Sequence, residues 1–238
     1  MVPHRGRGFT LVELLVVIAI MVLVALLMPV IWSVRNGAKL SWCQTNMRQL
    51  YTGMMNYAAD FTGRLPYTKV FNWPVTKDWM GYWAPPRNDA NAPHEGTLWS
   101  YMGDRKVYLC PSDTPPRSVH RGDGFGAGYR DRNPVTTHGY AIHSNDPGDT
   151  GRATHIDTYP SKRWPIMVEE SAVTIEDGNF RSGGNIFASR HRMSASDAKS
   201  SYDKAGGCIC FLDGRVEFFR AEAVMNAEST LFYELWKW

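Results

Sequence analysis

The stretch RGRGFTLVELLVVIAIMVLVALLMPVIW, from Arg5 to Trp32, decides how this chain is read. About 20 consecutive apolar residues span the hydrocarbon of a bilayer, and everything from Leu14 to Trp32 is uncharged. One carboxylate, Glu13, interrupts the apolar run near its start. An ionisable side chain in a membrane-spanning helix costs roughly 2.5–3.5 kcal/mol near the centre and less near an end, so it calls for a partner. A cut after Gly8 would supply one. The new amine on Phe9 would be cationic near neutral pH, with a reference pKa of about 7.7–8.0, and it would sit one helical turn before Glu13. The carboxylate could pair with its own chain's amine or with that of a neighbouring copy. A cleaved secretory signal has an apolar region of about 7–15 residues followed by a small-residue exit, and this run continues to Trp32 without an Ala-x-Ala exit. An ordinary single-pass anchor accounts for the length but for neither Gly8 nor Glu13.

The short basic leader ending at Gly8, then Phe9, Thr10 and Glu13 as the first, second and fifth residues after it, resembles the type III signal of type IV pilins and type II secretion pseudopilins. The resemblance implies a membrane peptidase that cuts between Gly8 and Phe9 on the cytoplasmic side and N-methylates Phe9. It implies a helix that later packs into a filament core, with Glu13 serving assembly. The implied partners are prepilin peptidase, other pilin or pseudopilin subunits, an inner-membrane assembly platform and membrane lipid. The implied location is the bacterial inner membrane, single-pass, with a cytoplasmic N-terminus and a periplasmic head, and then a surface or periplasmic filament.

Composition bounds the remainder. The chain has 238 residues and a formal net charge of +3, too small a charge to suggest nucleic acid. Beyond the apolar run roughly 200 residues remain, enough for a domain with its own core. Arg5 and Arg7 precede the run while Arg35 and Lys39 follow it, so counting positive charges does not orient the helix. The short leader favours an N-terminus inside, because a large following domain translocates largely regardless of charge. Cys43, Cys110, Cys208 and Cys210 then face an oxidising compartment, where disulfides persist. Their local spacing is not that of a zinc knuckle.

Past the membrane run, Leu40, Cys43, Met47, Leu50, Met54, Tyr57 and Phe61 step by three and four, the mark of a helix with one buried stripe. A single helix from Phe9 to about Asp60 is expected, with Pro29 kinking or locally melting it. After Gly63 the period disappears, and segments rich in Pro, Gly, Asn and Asp read as long loops, with helical turns near TLWSYMG. WPIMVEES, from Trp164, reads as a buried strand. GGCICFLDGRVEFFR reads as a hairpin around Asp213-Gly214, of type I′ by the Asp-Gly signal. The expected fold class is α+β: a long N-terminal helix, transmembrane then amphipathic, packed on an antiparallel sheet head with long loops. The divisions are a leader at 1–8, a transmembrane segment at 9–32, an amphipathic continuation at 33–61 and a head at 62–238.

A second resemblance, carried by CQTNMRQLYTGMMNYAADFTGRLP at Cys43, YLCPSD, MVEES, His191 and CFLDGRVEFF, is to pilin-like proteins with a C-terminal H-X9-DG region. Here twenty-one residues separate His191 from Asp213, and Arg215 stands where that pattern often has histidine. His138, His143, His155, His191, Glu169, Glu170 and Asp213 offer ligand atoms in principle. Calcium, which type II pseudopilins often carry, wants six to eight clustered oxygens, and no Asp-x-Asp-x-Asp loop exists. Neither a metal nor another cofactor is expected, and Asp213 reads as a turn residue. Cys43 lies on the stripe, so a Cys43–Cys110 disulfide tying YLCPSD to the helix is the expected bridge, worth about 2–4 kcal/mol; the alternative is four reduced, buried cysteines. Cys208 and Cys210, on one face of a strand, are too constrained to bridge each other. No hydrolase or nucleotide-binding motif is present, and a structural filament subunit, not an enzyme, is expected. The alternative is a surface-exposed minor pilin whose Trp- and Tyr-rich loops bind a ligand such as a glycan.

Overall fold

A computed structural model describes residues 9–67, 79, 94, 96–112, 140–143, 155–159, 161–169, 179–180, 187, 191–192 and 205–225. Helix α1 runs from Leu11 to Asp60, 50 residues, or about 75 Å at 1.5 Å per residue. Its two halves live in different surroundings. Residues 9–31 are all exposed, and the first half is long and apolar enough to cross a membrane. In the second half Cys43, Asn46, Met47, Leu50, Gly53, Met54, Tyr57 and Ala58 are buried. The expected stripe is therefore present, except that Phe61 falls off its end as the C-cap and stays 49% exposed.

The expected melting at Pro29 does not occur, and α1 continues through it. Proline removes one backbone donor. Within an apolar run meant for lipid, however, the neighbouring backbone groups have no water to bond to, which favours keeping the rest of the ladder.

Against the second half of α1 lie a short helix α2, Trp99–Met102, and a 3-10 turn, Arg105–Tyr108. α2 approaches closely because Gly53 has no side chain: a Cβ there would lie 2.5 Å from Met102 Sδ. The strands are β1 Tyr140–His143, β2 Pro165–Glu169, β3 Asn179–Phe180, β4 His191–Arg192, β5 Ala205–Phe211 and β6 Val216–Arg220, with a last helix α3 at Ala221–Met225. β5 is the hub. It pairs antiparallel with β6 on one edge, while β2 and β4 pair antiparallel with it at different positions along its length. β1 extends the sheet antiparallel to β2, and β3 adds to β1 in parallel, the one departure from antiparallel order among the described strands.

The pleat of β5 divides the core. Cys208 and Cys210 join Cys43, Met47, Leu50, Met54 and Met167 in the layer between sheet and α1. Ile209 and Phe211 point the other way, onto Val168, Phe187, Ala221 and Val224. This alternation buries every residue of β5, as expected for a strand covered on two sides.

The β5–β6 hairpin forms where the sequence places it, but its turn is not type I′. Among the described residues Gly214 has φ +82°, while Asp213 does not take a positive φ. The Gly214 N–H donates to Phe211 O at 2.9 Å and the Phe211 N–H to Arg215 O at 2.9 Å. These bonds describe a three-residue loop closed by a glycine in the left-handed region. Asp213 serves the turn, its Oδ1 accepting the Arg215 N–H at 3.0 Å. The Tyr51 hydroxyl donates to Leu212 O at 2.9 Å, and its ring would lie 2.7 Å from a Cβ on Gly214. Gly214→Val is therefore expected to destabilise the head by about 1–3 kcal/mol, from positive φ plus the collision with Tyr51. Thermal unfolding of the full chain in detergent, followed by tryptophan fluorescence, checks this.

Candidate functional site

Two groups of side chains carry chemistry. The first is the start of α1. Thr10, in extended conformation, is the N-cap, and its hydroxyl accepts the Glu13 N–H at 3.3 Å. Glu13 Oε2 in return accepts from the Thr10 backbone N–H and from the Thr10 hydroxyl, each at 2.8 Å. This reciprocal arrangement is a capping box, which satisfies two donors that a helix start leaves open. The pattern Thr-x-x-Glu before an apolar run signals it in sequence, so Glu13 has a partner on its own chain besides any amine. Both bonds fall on Oε2, so Oε1 makes no hydrogen bond among the described residues. Phe9 is 79% exposed. Gly8 lies outside the described residues.

The second group is a buried knot between α1 and the sheet. Cys43 on α1, Cys110 after the 3-10 turn, Glu169 at the end of β2 and His191 opening β4 point ligand atoms at one another, all within 4.8 Å. His191 Nε2 is 3.4 Å from Cys110 Sγ and 3.2 Å from Glu169 Oε1, while the Cys43 thiol lies 3.8 Å from the same Oε1. The remaining polar atoms face outward and are held. His191 Nδ1 is 3.3 Å from Ser112 Oγ, Cys110 Sγ accepts the Ser112 N–H at 3.4 Å, and Glu169 Oε2 accepts the Cys208 N–H at 2.8 Å. Asn46, buried one helical turn past Cys43, donates to the carbonyls of Lys106 and Leu109 at 3.3 and 3.0 Å and so fixes the segment that carries Cys110.

Burial pushes the Cys110 thiol well above its ordinary pKa, so in isolation it is a protonated thiol. Burial alone would lower the His191 imidazole, but the Glu169 carboxylate and Cys110 outweigh it and hold it above its usual value. Cys110 is not placed as the nucleophile of a relay, which sets nucleophile and carboxylate on opposite ring nitrogens, because Cys110 and Glu169 meet the same Nε2.

None of the four cysteines, all of them buried, is in a disulfide, and the sulfurs of Cys43 and Cys110 lie within 4.8 Å of each other. Of the other candidate ligands, His155 and Asp213 do not join this knot. His155 caps a turn near Gly63, with Nε2 2.8 Å from Thr62 O, and Asp213 is in the hairpin. His143 is in β1, with its side chain outside the described residues, as are His138 and Glu170. Of the aromatics, Trp79 and Tyr108 stack at 5.9 Å between ring centroids and are fully buried. Most of the segments expected to form aromatic loops lie outside the described residues.

Fold and N-terminal site together define an α+β protein whose long capped helix leaves its apolar half exposed and builds a sheet-bearing head on its other half. A family model described as the prokaryotic N-terminal methylation motif matches residues 3–29. The chain thus carries a prepilin-type N-terminus, which supports membrane anchoring and a pilin-like role. That match covers the N-terminus and does not reach the H-X9-DG-like region. Comparisons with curated proteins and with solved structures gave no match.

Proposed function

We propose that this chain is a structural subunit, pilin or pseudopilin, of a type IV pilus-like or type II secretion filament. It is cut by prepilin peptidase after Gly8 and N-methylated on Phe9. The observation that carries the reading is the combination of the matched motif over residues 3–29 with a first helical half exposed along its whole length. That much apolar surface needs lipid before assembly and neighbouring helices after it. The apolar half anchors the subunit in the inner membrane with the head in the periplasm, and the assembly platform draws it into the filament. In the filament the Phe9 amine of a neighbouring subunit meets Glu13, with Oε1 ready to accept it. The role is structural and calls for no catalytic residue.

Processing tests this directly. On co-expression with a prepilin peptidase the wild-type chain is expected to lose its first eight residues, and Gly8→Val to remain full length. Identical masses for wild-type protein with and without the peptidase would count against it.

A further inference from the structure

We propose that Cys43, Cys110, Glu169 and His191 form a structural zinc site that fastens α1 to the sheet of the head. The inference does not depend on the filament role, and it replaces both the expected absence of a metal and the expected Cys43–Cys110 bridge.

The distances carry it. Zinc is bound tetrahedrally with bonds of about 2.3 Å to sulfur and about 2.0–2.2 Å to nitrogen or oxygen, which puts neighbouring ligand atoms roughly 3.3–3.8 Å apart. The contacts between Cys43 and Glu169, Cys110 and His191, and His191 and Glu169 are 3.8, 3.4 and 3.2 Å. Four ligand atoms from four separate segments lie within 4.8 Å of one another, and three of the six edges between them are close to those of a zinc tetrahedron.

The surroundings match the same purpose. Metal-bound histidine is characteristically held by a hydrogen bond at its other ring nitrogen, and His191 has Nδ1 against Ser112 Oγ while Nε2 faces the centre. Glu169 divides its oxygens likewise, Oε2 on the Cys208 N–H and Oε1 inward. The Ser112 N–H on Cys110 Sγ stabilises a thiolate there. All four residues are buried. Four protein ligands and no open position describe a structural site, since catalytic zinc keeps one place for water or substrate.

Two competing accounts explain less. A disulfide would use the two sulfurs but leave the inward aim of Glu169 and His191 without a purpose. A buried His–Glu ion pair gives no reason for two thiols, one on α1 and one after the 3-10 turn, to converge on it. Zinc uses all four. Binding would displace the two thiol protons and the proton on His191 Nε2, leaving two thiolates, a carboxylate and a neutral imidazole around Zn2+. The remaining negative charge is spread under the Ser112 and Cys208 N–H groups. Thiolates held by zinc are also kept from oxidation in an oxidising compartment.

The test uses the full chain, purified in detergent without chelators. Elemental analysis is expected to find one zinc per chain, and Cys110→Ser to bring it to background. Co2+ exchanged into the wild-type protein should give thiolate-to-cobalt charge transfer and the intense visible bands of a tetrahedral site, a readout that requires no variant to fold. Ser112→Ala, which keeps all four ligands, is expected to weaken zinc roughly 10–100-fold in competition with a chromophoric chelator. A Cys43–Cys110 disulfide without zinc in natively produced protein would overturn the proposal. So would reduced thiols that take up neither zinc nor cobalt when either is supplied.

Discussion

Glu13→Ala is expected to leave the protein membrane-inserted and cleavable after Gly8, yet to reduce its incorporation into filaments beside wild-type subunits by roughly tenfold or more. The reasoning starts from what alanine removes. One loss is local: the Thr10 N–H and hydroxyl would no longer have Oε2 as their acceptor. A lost cap costs about 0.5–2 kcal/mol, which frays the first turn but does not undo a helix of 50 residues. Insertion should if anything improve, because a carboxylate has left the apolar run. The other loss arises only in the assembled state, where Glu13 would receive the cationic amine of the neighbouring Phe9. A charge-assisted hydrogen bond contributes about 1.5–3 kcal/mol, and the partner amine left unpaired in an apolar core adds to the penalty.

Glu13→Gln separates the two roles. Glutamine serves a capping box as well as glutamate does, so Thr10 keeps its partner while the charge is gone. If Gln fails to assemble as Ala does, charge pairing between subunits is the function of this residue. Normal incorporation of Gln with failure of Ala would assign Glu13 to capping alone. Normal incorporation of both would remove it from assembly. The yield of epitope-tagged variants in sheared filament fractions, set against their level in the membrane, is the measurement.

The second large effect concerns the division of α1. Leu50 is fully buried between helix and sheet, and Leu50→Ala is expected to cost about 2–5 kcal/mol, from lost transfer energy and the cavity left behind. At about 2–4 °C per kcal/mol for a domain of this size, the head should melt roughly 4–20 °C lower. Leu15, on the same helix, is 61% exposed. Leu15→Ala should leave unfolding of the head within about 0.5 kcal/mol of wild type. Equal effects of the two substitutions on head melting would mean that the helix is not divided as described.

This division was legible in sequence because two periodic signals follow one another: an unbroken apolar run, and then a stripe at steps of three and four from Leu40 to Tyr57. The β2 strand and the hairpin arms were equally plain, since short apolar runs bounded by turn residues leave few alternatives. The turn type was not, because an Asp-Gly pair suits both a two-residue loop and a three-residue loop with glycine left-handed, and Tyr51 packs against the second. The parallel β1–β3 pair had no signal, as neither strand announces its partner. The capping box is readable from Thr10 and Glu13 alone, three residues apart before an apolar run.

The buried knot is the instructive gap. Its residues stand 67, 59 and 22 positions apart, so no local spacing joins them and no knuckle-like cysteine pair marks them. Only the topology unites them: α1 presents Cys43, β2 ends on Glu169, β4 opens on His191, and Asn46 draws the Cys110 segment to the helix. The H-X9-DG-like pattern sets His191 with Asp213, yet the neighbours of His191 are Cys110, Ser112 and Glu169.

Everything proposed for the N-terminus turns on where the mature chain begins. Mass spectrometry of the N-terminal peptide from natively produced protein, taken from filament or envelope fractions, decides it. The account predicts a chain that starts at Phe9, one methyl group heavier than the unmodified residue. An intact Met1, or a start beyond residue 28, would contradict it.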